Sequence, residues 1–234
     1  MSELGRLAGV FFSPGKTFAE IARRPRWWVP VLVAAIFTTA YLNAFTRRVG
    51  WEQVIRQGFD QSAQAQQMPA QQREQLILTI ANVYKYALGY GAPILGFISV
   101  IICAALMLLL FDVFLGAKVG FKRMLAVVAY GFLPLIVQTI FSMVVLFLKD
   151  PEEFDLQNPL MANAGAFLSV DTAPWIKSLA SSFDLFTFWI MSVLAIGVVA
   201  ASPKKMKFGK AFTALLVPWI LYVIVKTSIA ALQS

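Results

Sequence analysis

The 234-residue chain contains no histidine and a single cysteine, Cys103. A Ser-His-Asp or Cys-His catalytic site, an H-E-x-x-H metal site, a zinc cluster and an intramolecular disulfide are therefore excluded. Charged residues are also scarce, at 14% of the chain, where a soluble domain has about a quarter. We expect no catalytic residue, no cofactor and no metal site.

What the chain has in abundance is apolar residues, at 59%. A helix of roughly 20 residues crosses a hydrocarbon core of about 30 Å, and five apolar stretches approach that length. They cover residues 29–46, 88–115, 123–148, 184–201 and 211–231. We predict an all-α polytopic membrane protein with five transmembrane helices, the last four forming two hairpins, and one integral-membrane domain over 1–234.

The basic residues indicate the orientation of these spans. Of the 20 Lys and Arg, 12 lie in residues 1–28 and in the short links after spans two and four, and seven lie in the long loops 47–87 and 149–183. The positive-inside rule therefore places the N-terminus in the cytoplasm and the C-terminus on the opposite side. Because the cations flank apolar runs, a nucleic-acid partner is not expected.

Residues 1–28, the leader, contain a short amphipathic pattern. Ser13-Pro14 favours a helix start, after which Phe18, Ile21 and Ala22 share one face. The sequence predicts an interfacial helix with its apolar face buried among lipid headgroups; a leader packed on the rest of the domain is the alternative. The predicted lipid-surface residues are Lys16, Arg23, Arg24, Arg26, Trp27 and Trp28.

The two long loops differ in composition. Loop 47–87 is rich in glutamine and divided at Met68-Pro69, which predicts a helical hairpin whose second arm continues into span two. Loop 149–183 is predicted to be irregular. Its four carboxylates within residues 150–155 lack the EF-hand order, so a solvated turn is favoured over a calcium site.

Ionisable groups inside the spans are candidates for function because they are costly in a membrane. Asp112 lies three residues before the end of span two, and we expect it to pair with a nearby Lys or Arg such as Lys118. Asp184 and Lys226 lie at comparable depths near the outer surface, and we expect them to pair with each other. The alternative is that all three belong to a polar pathway.

The segments that carry a family resemblance are residues 9–18 with Ile21, residues 24–30, residues 115–118 with Phe121 and Lys122, residues 130–134, and residues 182–189 with Gly197. They resemble bacterial members of the Ypt-interacting protein (Yip) domain family. The resemblance implies five spans with a cytoplasmic N-terminus, in a bacterial inner membrane. Eukaryotic members associate with Rab-type GTPases, in part through an Asp-Leu-Tyr-Gly-Pro segment. That segment is absent here, so GTPase binding is not expected.

The leading hypothesis is a non-enzymatic inner-membrane scaffold or adaptor. Its partners would be membrane lipids, another membrane protein or a second copy of the chain. The alternative is a small transporter or channel subunit with a polar pathway near Asp112, Asp184 and Lys226. A membrane-embedded enzyme ranks third, because the sequence shows no paired carboxylate or lysine site.

Overall fold

The computed structural model describes residues 1–60, 63–156, 158–169 and 171–232. Throughout these ranges the regular structure is helical, apart from one isolated bridge between Asn163 and Asp184. The α-helices are α1 (Glu3–Phe12), α2 (Pro14–Arg23), α3 (Trp28–Arg48), α4 (Trp51–Asp60), α5 (Ala63–Gln66), α6 (Ala70–Leu108), α7 (Phe121–Gly131), α8 (Leu133–Leu148), α9 (Pro174–Ser181), α10 (Leu185–Ala201) and α11 (Phe208–Leu232). The predicted all-α class is confirmed.

Four segments are long and apolar enough to cross a membrane by length and composition. They are α3, α6 with its continuation to Phe114, α7 together with α8, and α11. The predicted fourth span corresponds to α10, an apolar helix of 17 residues. At 1.5 Å per residue it is about 26 Å long, near the short limit for a span.

Helix α6 confirms the prediction that the second arm of the first long loop continues into span two. Pro69 directly precedes it, where a missing amide costs nothing because the first helical amides have no intrahelical acceptor. The helix then runs unbroken for 39 residues to Leu108, through Pro93. Six further residues, Leu109–Phe114, continue it in the wider winding of a π-helix.

The third predicted span is two helices rather than one. Phe132 separates α7 from α8, and Pro134 follows two residues later. Proline provides no amide to the preceding turn and its ring crowds the carbonyl four residues earlier. The chain therefore restarts its helix at Leu133 instead of continuing α7.

The chain divides into two compact units. The first comprises Met1–Leu32, Ile98–Leu135 and Met161–Ser234, and the second comprises Val33–Phe97 and Ile136–Leu160. In the first unit α7 is buried from Met124 to Gly131. In the second a small core forms around Phe45, Trp51, Ala81, Leu146 and Phe154. The assignment of residues 1–234 to one domain stays a prediction.

The second long loop is irregular, as predicted. It contains short 3-10 turns at Pro151–Glu153 and Ala164–Phe167, followed by α9. Nowhere in the described ranges do three or more Cys, Asp or Glu side chains gather in a way that could hold a metal ion.

Candidate functional site

The leader is docked on the protein. Helix α2 packs against α7 and α10, and Phe18 and Ile21 are fully buried there. A Cβ at Gly197 of α10 would lie 2.7 Å from Val127 Cγ1 and 3.0 Å from Phe18 Cε1. Glycine at this position therefore allows the three helices to approach closely.

This packing corrects the prediction that the apolar face of α2 inserts among lipid headgroups. Phe18 and Ile21 contact protein rather than lipid because α7 and α10 offer them a close-packed surface. The exposed apolar residues of the leader lie instead on α1, where Leu4 is 79% exposed and Phe12 is 85% exposed. Both side chains are available to the surroundings of the protein.

A buried arginine holds the two leader helices together. Arg6 on α1 is 2% exposed. Its Nη2 donates to Glu20 Oε1 on α2 at 3.0 Å, and its Nη1 donates to the carbonyl oxygen of Arg24 at 3.1 Å. Because this guanidinium donates a hydrogen bond to the carboxylate, the pKa of Glu20 is lowered below its usual 4.5.

Glu3 extends this network to α7. Its Oε1 lies 3.5 Å from Arg6 Nη1 and accepts a hydrogen bond from Arg26 Nη1 at 3.0 Å. Its Oε2 accepts a hydrogen bond from the Tyr130 hydroxyl at 3.2 Å. We refer to Glu3, Arg6, Glu20, Arg26 and Tyr130 as the leader cluster. It joins both leader helices to the most buried helix of the first unit.

Sequence reasoning missed the leader cluster. One signal was present: Arg6 is the only charged residue between positions 4 and 12, and Gly5 and Gly9 lie on either side of it. A lone charge in an apolar segment with small neighbours is typical of a buried, hydrogen-bonded group. Gly9 confirms the close approach, since a Cβ there would collide with the Thr17 side chain.

The predicted lipid-surface residues are exposed, except for Trp27, which is partly buried. Lys16, Arg23 and Arg24 are exposed, and Trp28 is half exposed at the start of α3. Arg26 remains largely exposed although it contacts Glu3. These cations are accessible to anionic lipid, and their binding of it stays a prediction.

Asp112 does not form the predicted ion pair with a nearby cation. Its Oδ1 accepts a hydrogen bond from the Val119 amide and its Oδ2 from the Gly120 amide, both at 2.8 Å. These amides directly precede α7, where the positive end of the helix dipole also favours a carboxylate. Asp112 therefore closes the turn that links α6 to α7.

That turn has an unusual backbone. Gly116, Lys118 and Gly120 all have positive φ, at 63°, 56° and 81°. The carbonyl oxygen of Ala117 accepts a hydrogen bond from Ser202 Oγ at 2.7 Å. The turn between α6 and α7 thus contacts the beginning of the turn between α10 and α11.

Lys226 has hydroxyl and carbonyl partners. Its Nζ donates to the carbonyl oxygen of Ser178 at 3.2 Å, to Ser181 Oγ at 2.9 Å and to Ser182 Oγ at 3.1 Å. These groups form the C-terminal end of α9, whose dipole favours a cation. This contact also places the distal part of α11 beside the start of α10.

Asp184 is engaged separately. Its Oδ1 accepts a hydrogen bond from the Thr187 amide at 3.0 Å, which makes it the N-cap of α10. The predicted ion pair between Asp184 and Lys226 is therefore wrong, since these two described residues form no contact within salt-bridge distance. The cap uses an amide that the helix itself leaves free.

In the second unit, arginines organise the helix ends. The Nε of Arg48 donates to the carbonyl oxygen of Leu146 at 2.6 Å, and its Nη2 donates to those of Phe147 and Lys149. The guanidinium thereby supplies donors to the carbonyls that end α8. A hydrocarbon environment offers no water to these carbonyls, so such a cap is valuable near a membrane surface.

A second arginine joins α4 to the beginning of α6. Arg56 donates two hydrogen bonds to the Glu74 carboxylate, each at 2.8 Å, and one to Glu52 at 2.9 Å. Gln53 and Gln57 of α4 donate to the carbonyl oxygens of Pro151 and Glu152. Helix α4 of the glutamine-rich loop is thus joined by hydrogen bonds to the beginning of α6 and to residues 151–152 within the second unit.

Comparison with known proteins identifies the family. The model of the Yip1 domain matches residues 8–229. The chain belongs to the Yip1 domain family. It is also 24% identical over 208 residues to the membrane protein YknW of Bacillus subtilis (strain 168), which covers 89% of this chain and 83% of YknW. No solved structure matches the chain.

The matched Yip1 region contains most of the features described above. It includes α2, the turn closed by Asp112 and the serines that surround Lys226. Glu3 and Arg6 precede it. The chain is accordingly a Yip1-family membrane protein, as the sequence resemblance indicated.

Proposed function

We propose that this Yip1-family protein is a non-enzymatic scaffold or adaptor of the bacterial inner membrane. It would bind lipid and a partner membrane protein, or a second copy of itself, through its helical surfaces. The observation that carries this proposal is the exposure of its spans. In the most apolar window of each helix, 17% of α3 and 11% of α11 is buried inside the protein, so most of their side chains face lipid or a partner.

The outer part of α6 supports the same proposal. Tyr86 and Tyr90, four residues apart and so on one face of the helix, are exposed, and their rings stack with centroids 6.3 Å apart. Aromatic residues concentrate at membrane interfaces and in the centres of protein interfaces, because they combine a large apolar surface with a polar group. This tyrosine face suits either a headgroup layer or another helix.

The transporter alternative receives less support. A hydrated pathway needs polar groups near the middle of the membrane. Asp112, Asp184 and Lys226 lie near helix ends, and each is engaged by backbone or hydroxyl groups in its own neighbourhood. The 17 residues of α10 span about 26 Å. Asp184 lies at the N-terminal end of α10, whereas Ser202, at its C-terminal end, contacts the turn that Asp112 closes. Asp184 and Asp112 are therefore associated with opposite ends of this helix.

Reconstitution tests the scaffold proposal against the transporter. Purified protein in liposomes should show no ion or small-solute flux above empty vesicles, while gentle extraction from native membranes should recover a defined protein partner or homo-oligomer by crosslinking mass spectrometry. Reproducible flux that Asp112→Asn abolishes would reject the scaffold and support the transporter. A Lys149→Gln variant serves as the surface control.

Orientation is part of the proposal and has its own test. With five crossings and a cytoplasmic N-terminus, a phosphatase fused after Ser234 should be active outside the cytoplasm. The same enzyme inserted within 204–210 should be inactive. Reversed activities would overturn the five-span arrangement and are the result expected if α10 does not cross. Two active fusions would show that α11 does not separate the two fusion sites.

The exposed face of α1 supports contact between the leader and lipid. A fluorophore attached at Leu4→Cys or Phe12→Cys, in a Cys103→Ser background, should be quenched by nitroxide-labelled lipids in the adjoining leaflet. The same probe at Ala19→Cys, an exposed residue of α2, serves as the comparison. Equal, weak quenching at all three positions would remove the leader from the lipid-binding part of the proposal.

A further inference from the structure

Two short turns meet in the first unit. One links the end of the π-helix to α7 over residues 115–120, and the other links α10 to α11 over residues 202–207. Ser202 Oγ donates to the carbonyl oxygen of Ala117 at 2.7 Å. A Cβ placed on Gly116 would lie 3.5 Å from Lys204 Nζ, so the second turn carries a cation to the backbone of the first.

These turns and the helix starts that follow them carry many cations. The exposed basic residues are Lys118, Lys122, Arg123, Lys204, Lys205, Lys207 and Lys210. None of these seven described residues forms a salt bridge with a described carboxylate. Asp112, the carboxylate at the turn, has both oxygens occupied by the amides of Val119 and Gly120. The seven cations therefore outnumber this one carboxylate, and none of them forms a salt bridge with it.

Exposed phenylalanines flank the same turns. Phe114 ends the π-helix, Phe121 begins α7 and Phe208 begins α11, and all three are exposed. Phe208 also stacks on Phe212, one turn farther along α11, with centroids 5.7 Å apart. Cations beside exposed aromatic rings at the ends of apolar helices match the boundary between headgroups and acyl chains.

We propose that residues 115–123 and 202–210, which we call the basic turns, bind the anionic headgroup of a phospholipid. A headgroup with two phosphates fits best, because each turn supplies its own set of lysines and the two sets are held together by the Ser202 hydrogen bond. The phenylalanines would contact the acyl chains, which a soluble phosphate compound lacks. The assignment rests on the proposed membrane placement and adds a lipid site separate from the leader.

Charge complementarity favours lipid over an acidic protein. The basic turns connect membrane helices, so their cations lie beside a leaflet whose phosphates are at high local concentration. Basic pockets between membrane helices are a recognised way to bind diphosphate headgroups. All seven side chains are exposed, so a headgroup can reach them from the protein surface.

The test uses the full chain in nanodiscs of zwitterionic lipid, with cardiolipin, a diphosphate phospholipid, as the titrated probe. The variant carries Lys204→Gln, Lys205→Gln and Lys207→Gln. The matched control removes three cations of the second unit, with Arg47→Gln, Lys85→Gln and Lys149→Gln. We expect the first variant to weaken cardiolipin binding by about tenfold or more and the control to change it by less than about twofold.

A second variant distinguishes loss of the binding site from misfolding of the first variant. Lys118→Gln with Lys122→Gln and Arg123→Gln removes three cations from the other turn and should cause a similar loss. Unchanged affinity in both turn variants, or equal losses in these and in the control, would overturn the proposal. Displacement of cardiolipin by an equal concentration of pyrophosphate would also overturn it, because the site would then read phosphate without lipid.

The outcome is separable from that of the scaffold proposal. Loss of a copurifying partner or the appearance of solute flux would reject the scaffold and leave the lipid titration unaffected. Failure of the lipid titration would leave the partner and flux measurements unaffected.

Discussion

The two compact units each contain an arginine between two glutamates, and the two groups differ in burial. In the first unit Arg6 contacts Glu3 and Glu20 and is 2% exposed. In the second unit Arg56 contacts Glu52 and Glu74 and is 37% exposed. The shortest contacts are similar, at 3.0 Å and 2.8 Å.

Distance alone therefore does not indicate what each arginine contributes. Water and salt screen the Arg56 contacts, and exposed ion pairs typically stabilise a fold by about 1 kcal/mol or less. A buried guanidinium has lost its hydration, so removing one partner strands the others at a much larger cost. The structure also leaves Arg6 Nε without an acceptor among the described residues, which makes its remaining contacts more important.

The largest expected effect is that of Arg6→Ala. Removing the guanidinium takes away a cation that Glu3 and Glu20 share and opens a cavity between the leader helices, so we expect a loss of about 3 kcal/mol in unfolding free energy. Denaturant unfolding in detergent, with protease cleavage of the leader as a second readout, measures it. A loss as small as that of Arg56→Ala would abolish the contrast between the two units.

Gly197→Val tests whether helix packing, as well as charge, docks the leader. The new side chain would overlap Phe18 and Val127, and overpacking of this kind costs about 1–3 kcal/mol. The matched control is Gly15→Ala on α2, where a Cβ meets nothing within 4 Å. If Gly197→Val unfolds at the wild-type denaturant concentration, α2 does not pack against α10 as described.

Arg56→Ala should have a smaller effect, at about 1 kcal/mol or less. Because the contacts are exposed, the difference from wild type should shrink further in about 1 M salt. Thermal unfolding at low and high ionic strength provides the measurement. A loss that is large and independent of salt would mean that α4 is buried against a partner in the intact protein.

The smallest effect is expected from titration of Glu20. Its folded-state pKa is lowered by Arg6, so this contribution to stability is present above the unfolded pKa of about 4.5 and is lost as pH falls through the lower folded value. Wild type should lose stability relative to Glu20→Gln as pH falls below about 5. Parallel pH profiles for the two proteins would show that Arg6 and Glu20 do not interact.

The spans were predictable because membrane crossing depends on length and apolar composition, which a sequence states directly. The predicted stretches 29–46 and 211–231 lie within α3 and α11. The break at Phe132 was not predicted, because proline is tolerated inside other helices of the same chain, at Pro93 and Pro218. Whether a proline divides a helix depends on neighbours that a sequence does not specify.

The partners of the charged residues were much harder to predict. Asp112 and Lys226 were assigned ionic partners because opposite charges lay nearby in sequence or depth, but both bind backbone or hydroxyl groups. Amides at helix starts and carbonyls at helix ends are strong partners that occur in every chain. Because every residue type supplies these backbone groups, a prediction made from the positions of charged residues does not include them.

Lys118 lies in the left-handed region with φ of 56°, a conformation that costs a residue with a Cβ about 1 kcal/mol more than glycine. Glycine would suit this backbone conformation better than lysine. Lys118→Gly should therefore stabilise the fold, as few solvent-facing substitutions do. The proposed headgroup site would offset this cost, because Lys118 supplies one of its cations.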